Sequence, residues 1–377
     1  MDGPGQLEMI SLFLCGDVMT GRGIDQVLPH PVPPQLHEEY VRDARDYVAL
    51  AETRNGPIRV PIGFDTLWGD ALAVLEQAAP DVRLINLETS ITTSEDWWPD
   101  KGIHYRMHPA NAACLTAARI HCCALANNHV LDWGYRGLRE TLTTLRDLGI
   151  ATAGLGEDLE VARRPAVLEA GAKGRVIVFS FGERGSGIPP EWAAAADMPG
   201  VDFLPDLSPA TARRIGERVA AVKRSRDVVV ASIHWGGNWG YEVSGQQRAF
   251  AHALIEEAGV DLIHGHSSHH PRGIEVHQGR LILYGCGDFL NDYEGIERYR
   301  DFRHDLALMY LASVAPANGQ LASLRMIPMR LRQLRPHRAS RQDAEWLCGI
   351  LDRESRPLGT RVRLEDDGAL VLRAEHG

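Results

Sequence analysis

Carboxylates, amides and imidazoles recur at one kind of place in this chain, directly after short apolar runs. Asp17 closes Leu14-Cys15-Gly16-Asp17, Asn86 and Glu88 lie in Ile85-Asn86-Leu87-Glu88, and Asn127, Asn128 and His129 follow Leu125-Ala126. His234 follows the run 228–233, and His264, His266 and His269 follow 260–263. Such donors, with no thiolate among them, suit Zn, Mn, Fe or Mg at a reactive site better than a purely structural zinc. One or two divalent ions held this way polarise an ester and lower the pKa of bound water toward neutrality, making hydroxide available as nucleophile. The chemistry expected is hydrolysis, of a phosphoester before an amide.

Taken singly, each residue has a plainer reading. An Asp after a Gly is a common turn residue, an Asn can cap the next helix, and a strand-end His is more often a hydrogen-bonded structural group. Joint occurrence at the ends of five runs is what points to a site. His264 precedes Gly265 and is expected on the strand itself, as an inner hydrogen-bonded histidine or a functional one. Asn86 is expected to touch substrate, as are Arg22 and Arg106, whose guanidinium forks fit a phosphate or carboxylate, although salt bridging explains the arginines as well. Trp235, like Trp97, Trp98, Trp133 and Trp239, lies beside these loops, where an aromatic face either stacks on substrate or fills the core.

The elements that must position these groups alternate. Apolar runs at 10–15, 82–85, 122–126, 176–181, 228–233, 260–263 and 281–284 read as buried strands. Leu138, Leu142, Leu145 and Leu148 share one helical face ahead of Gly149, Ser244 and Gln247 fit a capping box, and Ser208-Pro209 starts a third helix. The fold class is α/β, a sheet covered on both faces, whose ligands collect outside the carboxyl ends of the strands. Residues 20–80 read as a helical insertion with helices near 36–52 and 66–79. The Gly/Pro-rich loop 182–206 and Trp97-Trp98 have the length and placement of a lid. Residues 1–335 are expected to form the catalytic domain. Residues 336–377, with a helix near 342–351 and a hairpin at Asp366-Asp367-Gly368, form a small extension packed on it.

Composition narrows the partners. With 377 residues, 44% of them apolar, the chain can bury a large core, and 50 acidic against 40 basic residues argue against a surface that tracks nucleic acid. A small anionic or polymeric acidic substrate held through metal is the expected partner, and assembly as a homo-oligomer stays open. Residues 1–8 lack a basic n-region and the apolar stretch 9–15 is too short to span a bilayer, so a cytoplasmic chain without membrane anchor is expected. Six cysteines without a Cys-x-x-Cys pair give no reason to expect disulfides or a cysteine zinc knot.

Six stretches together resemble a known family. Gly16-Asp17-Val18-Met19-Thr20-Gly21-Arg22, Asn86-Leu87-Glu88, Ala126-Asn127-Asn128-His129 with Asp132 and Gly134, His234-Trp235-Gly236, Gly265-His266-Ser267-Ser268-His269 and Tyr284-Gly285-Cys286-Gly287-Asp288-Phe289 are similar, in this order, to the CapA or poly-γ-glutamate capsule biosynthesis family. That family's fold resembles the calcineurin-type metallophosphoesterases. The resemblance implies a two-sheet sandwich flanked by helices, with Asp17, Glu88, Asn128, His234, His266 and His269 as metal ligands and Glu88 bridging. It places His129 as the acid that protonates the leaving group, and Asp132 then orients that imidazole. A role as a non-hydrolytic accessory of poly-γ-glutamate synthesis or export is the alternative it carries. Where the phosphoesterases have Asp-x-His, this chain has Asp17-Val18-Met19, so the ion nearest Asp17 is expected to lack one imidazole.

Overall fold

Alternate residues of the strand Ile10–Val18 face opposite ways, and both faces are buried. Leu12 and Leu14 point into one apolar layer, Phe13 and Cys15 into another. In the computed structural model, which describes residues 9–296 and 298–374, this double burial repeats across two mixed sheets. The polar residues 1–8 lie outside the described residues.

The first sheet runs in the order Thr360–Leu364, Leu370–Ala374, Leu321–Arg332, Leu306–Val314, Ile10–Val18, Val82–Leu87, Cys122–Ala124, Ala151–Ala153. From Ile10–Val18 to Ala151–Ala153 neighbours are parallel, and on the other side they are antiparallel. The second sheet runs Phe203–Leu204, Arg175–Glu183, Asp227–His234, Leu262–His266, Arg280–Leu283, Ile274–His277. It is parallel except at Ile274–His277 and at Ala166–Glu169, which pairs with Arg175–Glu183. The inner faces meet in one core: Leu12, Leu14, Val82 and Leu84 from the first sheet pack with Val176, Val178, Val228, Val230 and Leu262 from the second. Helices cover the outer faces. Leu75, Leu115, Leu138 and Leu145 lie against the first sheet; Ala212, Ile215, Val219, Phe250 and Leu254 lie against the second. Among the described residues no helix is long and apolar enough to cross a membrane.

The strongest local signals form as expected. Gly134–Asp147 is a helix with its leucines turned inward, Ser208 caps Pro209–Val222, and Ser244 with Gln247 closes a capping box on Gly245–Glu256. The insertion differs. Its main helix is Arg45–Asn55, because the chain before it is tied as an extended turn, Leu36 N–H to Arg42 O and Ala44 N–H to Pro34 O. The long antiparallel pair Leu306–Val314 and Leu321–Arg332 lies outside the expected strands; the first is a nearly continuous apolar run, while Arg325, Pro328, Arg330 and Arg332 interrupt the second.

Candidate metal centre

Strand register sets the centre. Asp17 is the parallel partner of Asp288, on Asp288–Leu290, and of Asn86 on its other side, so three polar residues stand in one row across the first sheet. His234 and His266 are register partners in the second sheet. Asp288 comes beside Asp17 because Gly16 lets the two segments of the first sheet close: a Cβ there would fall 1.6 Å from the Gly287 carbonyl oxygen. Asp17 N–H donates to that same oxygen at 2.9 Å.

A chain of hydrogen bonds fixes the imidazoles. The Cys15 carbonyl only accepts, so His264 Nε2 carries the proton between them (2.7 Å). Ser232 Oγ donates to His264 Nδ1 at 3.0 Å and accepts from His266 Nε2 at 2.9 Å. His266 Nδ1 is then a bare lone pair. It lies 2.7 Å from Nδ1 of His234, whose Nε2 donates to Asn128 Oδ1 at 3.0 Å, so that nitrogen is bare as well. Burial first, then His129 for His234 and His234 for His266, hold both rings neutral, well below the ordinary histidine value. Two lone pairs this close repel unless a cation sits against both.

The carboxylates make the complementary case. Asp17, Glu88 and Asp288 are all buried. Burial, then Asp288, pushes Asp17 up to about 7, and burial, then Asp17, drives Glu88 well above the usual range. Asn86 Nδ2 donates to Asp17 Oδ1 at 2.7 Å and to Glu88 Oε2 at 3.1 Å, while Asp17 Oδ2 is buried without any partner. Burial lowers His269, but Asp288, accepting from Nδ1 at 2.8 Å, and Asp17 outweigh it and leave the ring raised. Ligand atoms of Asp17, His234 and His266 lie within 4.8 Å of one another, and so do those of Asp17, His269 and Asp288. Asp17 is common to both groups. The donor set, the orphaned Oδ2 and the facing lone pairs fit divalent cations.

His129 stands at the edge of the centre. Its Nδ1 donates to Asp132 Oδ2 at 2.7 Å and its Nε2 lies 3.8 Å from Glu88 Oε1. Burial and then Lys101 hold the ring down to about 4. Burial alone would raise Asp132, but the Lys101 ammonium at 2.6 Å and His129 together outweigh it and keep the carboxylate below its usual range. Near this pair Trp98 packs edge-on against Trp192 of the loop 182–206.

The expected residues therefore fall into two groups. Asp17, Asn86, Glu88, Asn128, His129, Asp132, His234, His266 and His269 come together, with Asn86 turned to the carboxylates. Arg22, Arg106 and Trp235 are engaged by protein one layer away. Arg22 is buried between Asp292 and Glu38, with Tyr47 also in reach of Nη1. Arg106 lies over the Trp133 ring at 3.8 Å and donates to Ser94 O at 2.7 Å. Trp235 is fully buried and donates to Tyr284 O at 3.0 Å. His264 is the inner hydrogen-bonded histidine. Three participants were not expected: Asp288, whose signal was another polar residue after a strand run; Ser232, hidden inside a strand; and Lys101, in a segment without periodicity.

Comparison with known proteins agrees over nearly the whole length. Residues 11–293 match the family described as bacterial capsule synthesis protein PGA_cap. Proteins of two Mycobacterium tuberculosis strains, each named a probable polyglutamine synthesis accessory protein, are 50% identical over 369 residues, covering 98% of this chain and 97% of theirs. The Bacillus subtilis PGA biosynthesis protein CapA is 28% identical over 297 residues, covering 78% of this chain and 66% of that one. With the matched segment running from the first strand past Asp288, the chain belongs to the bacterial capsule synthesis protein PGA_cap family.

Proposed function

We propose that this chain is a metal-dependent hydrolase acting on a small anionic or polymeric acidic substrate, at a phosphoester before an amide. The observation that carries the reading is Asp17, one buried carboxylate common to two groups of ligand atoms, with one oxygen left unpartnered. Asp17, His234 and His266, with Glu88 and Asn128 beside them, would hold one divalent ion; Asp17, His269 and Asp288 would hold the other. When bound, such ions polarise the scissile bond and make water nucleophilic near neutral pH. His129 meets the substrate neutral, takes up at Nε2 the proton lost by the attacking water and gives it to the leaving group, while Asp132 holds Nδ1–H and Lys101 balances the carboxylate. The same reading takes the two-sheet sandwich as calcineurin-like, with Met19 in place of the first-motif histidine.

A second reading rests on the relatives' names, which speak of polymer synthesis and accessory roles. In it the same ions bind acidic polymer without cleaving it. One experiment separates the two: metal content of the purified chain, then a panel of phosphomonoesters, phosphodiesters and γ-glutamyl amides with Mn, Zn, Fe and Mg. Turnover that disappears in His129→Ala supports the hydrolase. Polymer binding that needs metal, ignores His129 and comes with no turnover supports the accessory.

A further inference from the structure

Away from the centre, at the edge of the second sheet, four more donors face one another. His252 and Glu256 are four residues apart on the helix Gly245–Glu256, hence on one side of it. Glu275 and His277 are two apart on Ile274–His277, hence on one face of that edge strand. Among the described residues the strand pairs in the sheet with Arg280–Leu283, and at its first residue the C-terminal segment meets it: Ile274 N–H donates to Ser355 Oγ at 2.9 Å and its carbonyl accepts from Thr360 Oγ1 at 2.5 Å.

The contacts are those of ligands joined by protons. His252 Nε2 lies 3.0 Å from Glu275 Oε1, and His277 Nε2 lies 2.6 Å from Glu256 Oε1. The two imidazoles are stacked, centroids 3.7 Å apart and planes within 4°. Glu275 is buried and its other oxygen accepts from Tyr284 Oη at 2.7 Å, the outer hydrogen bond that fixes a ligating carboxylate. Arg248 also reaches Glu275 Oε1, at 2.8 Å, and with two carboxylates and one guanidinium the group keeps one negative charge in excess.

We propose that His252, Glu275 and His277, completed by Glu256, form a second cation site of the zinc type that pins the helix to the edge strand. Ligand atoms of the first three lie within 4.8 Å of one another. Tetrahedral zinc, with bonds of about 2.0 Å, wants them about 3.3 Å apart, so they must draw in by about 1.5 Å at most. Both rings and the Glu256 carboxylate are partly exposed, and the rings would unstack to bring their nitrogens to one ion. Two imidazoles with carboxylates suit zinc; calcium and magnesium want six or more oxygens. Zinc displaces the shared protons, and Arg248 swings to solvent. The ion would couple two segments of the central site, since the helix follows the loop after His234 and the strand follows the loop bearing His269.

The site is tested on the full chain by counting zinc per chain after equilibrium dialysis, with thermal unfolding in parallel. The double variant His252→Gln/His277→Gln should bind one zinc fewer than the natural chain and lose part of the zinc-induced rise in Tm. Arg248→Gln, which removes the competing cation, should bind that zinc several-fold more tightly. Asp17→Asn should empty the central site and leave this ion in place, which separates the two assignments. Equal zinc in the natural chain and the double variant, or in the natural chain and the single variant His277→Gln, overturns the proposal.

Discussion

The two sheets bring different chemistry to the centre. The first supplies hard oxygen donors, Asp17, Glu88 and Asp288, crowded so that burial and the neighbouring carboxylates raise Asp17 and Glu88 above the usual carboxylate range. The second supplies neutral imidazoles, His234 and His266, with lone pairs aimed at one point. One half lacks positive charge and the other lacks anything to donate to. Each is costly alone and a single cation would relieve both, which teaches that the centre belongs to the sandwich and to neither sheet. His269 is the exception. It comes from the second sheet's side but pairs with Asp288 of the first.

The largest effect should come from removing the residue that both halves share. Asp17→Asn is expected to release all centrally bound metal and abolish hydrolysis while the protein stays folded; retention of even one tight central ion, counted by mass spectrometry, would show that the halves are independent. Next comes His129→Ala, which leaves both halves intact. It should keep the metal and lose turnover by roughly 10²–10⁴-fold, less for a nitrophenyl ester whose leaving group needs no proton. Equal losses on good and poor leaving groups would assign His129 another role.

Ser232→Ala tests the imidazole half alone. Without the hydroxyl, His266 can flip tautomer, and affinity for the ion between His234 and His266 should fall by roughly 10–100-fold, with the Asp288 side unchanged in titration calorimetry. The smallest effect is expected from Met19→His. Met19 is buried with its sulfur 3.7 Å from Tyr293 Oη, and Tyr293 packs edge-on to His269. An imidazole there should tighten the weaker, Asp288-side ion several-fold, so that dialysed protein moves from nearer one ion per chain toward two. Two equally tight ions in the natural chain would erase the asymmetry.

Much of this was legible from residue types. Asp17, Glu88, Asn128, His234 and His266 each end an apolar run, and a run that stops at a polar residue marks both a strand's end and what it carries. Asp288 was harder because Gly285, Cys286 and Gly287 separate it from its strand and read as a turn; only the pairing of Asp288–Leu290 with Ile10–Val18 brings it to Asp17. Ser232 looks like any small inward residue until both neighbouring histidines are placed. Arg22 and Arg106 misled for a physical reason. A guanidinium beside a site can serve substrate or structure, and which it does depends on Asp292 or Trp133 arriving from elsewhere in the chain. Leu306–Val314 was legible as an apolar run; its partner Leu321–Arg332 was obscured because exposed Ala322, Ser323 and Arg332 and the half-buried Arg325 and Arg330 break the apolar pattern of a strand buried only from Leu324 to Leu331 in between.

The hydrogen bond from His264 to the Cys15 carbonyl crosses from one sheet to the other. Through Ser232 it decides which nitrogen of His266 is bare. The chain thus carries its own assembly gauge. In the docked sandwich the bond to the Cys15 carbonyl sets the ring, so the arrangement that would hold an ion depends on both sheets being in place.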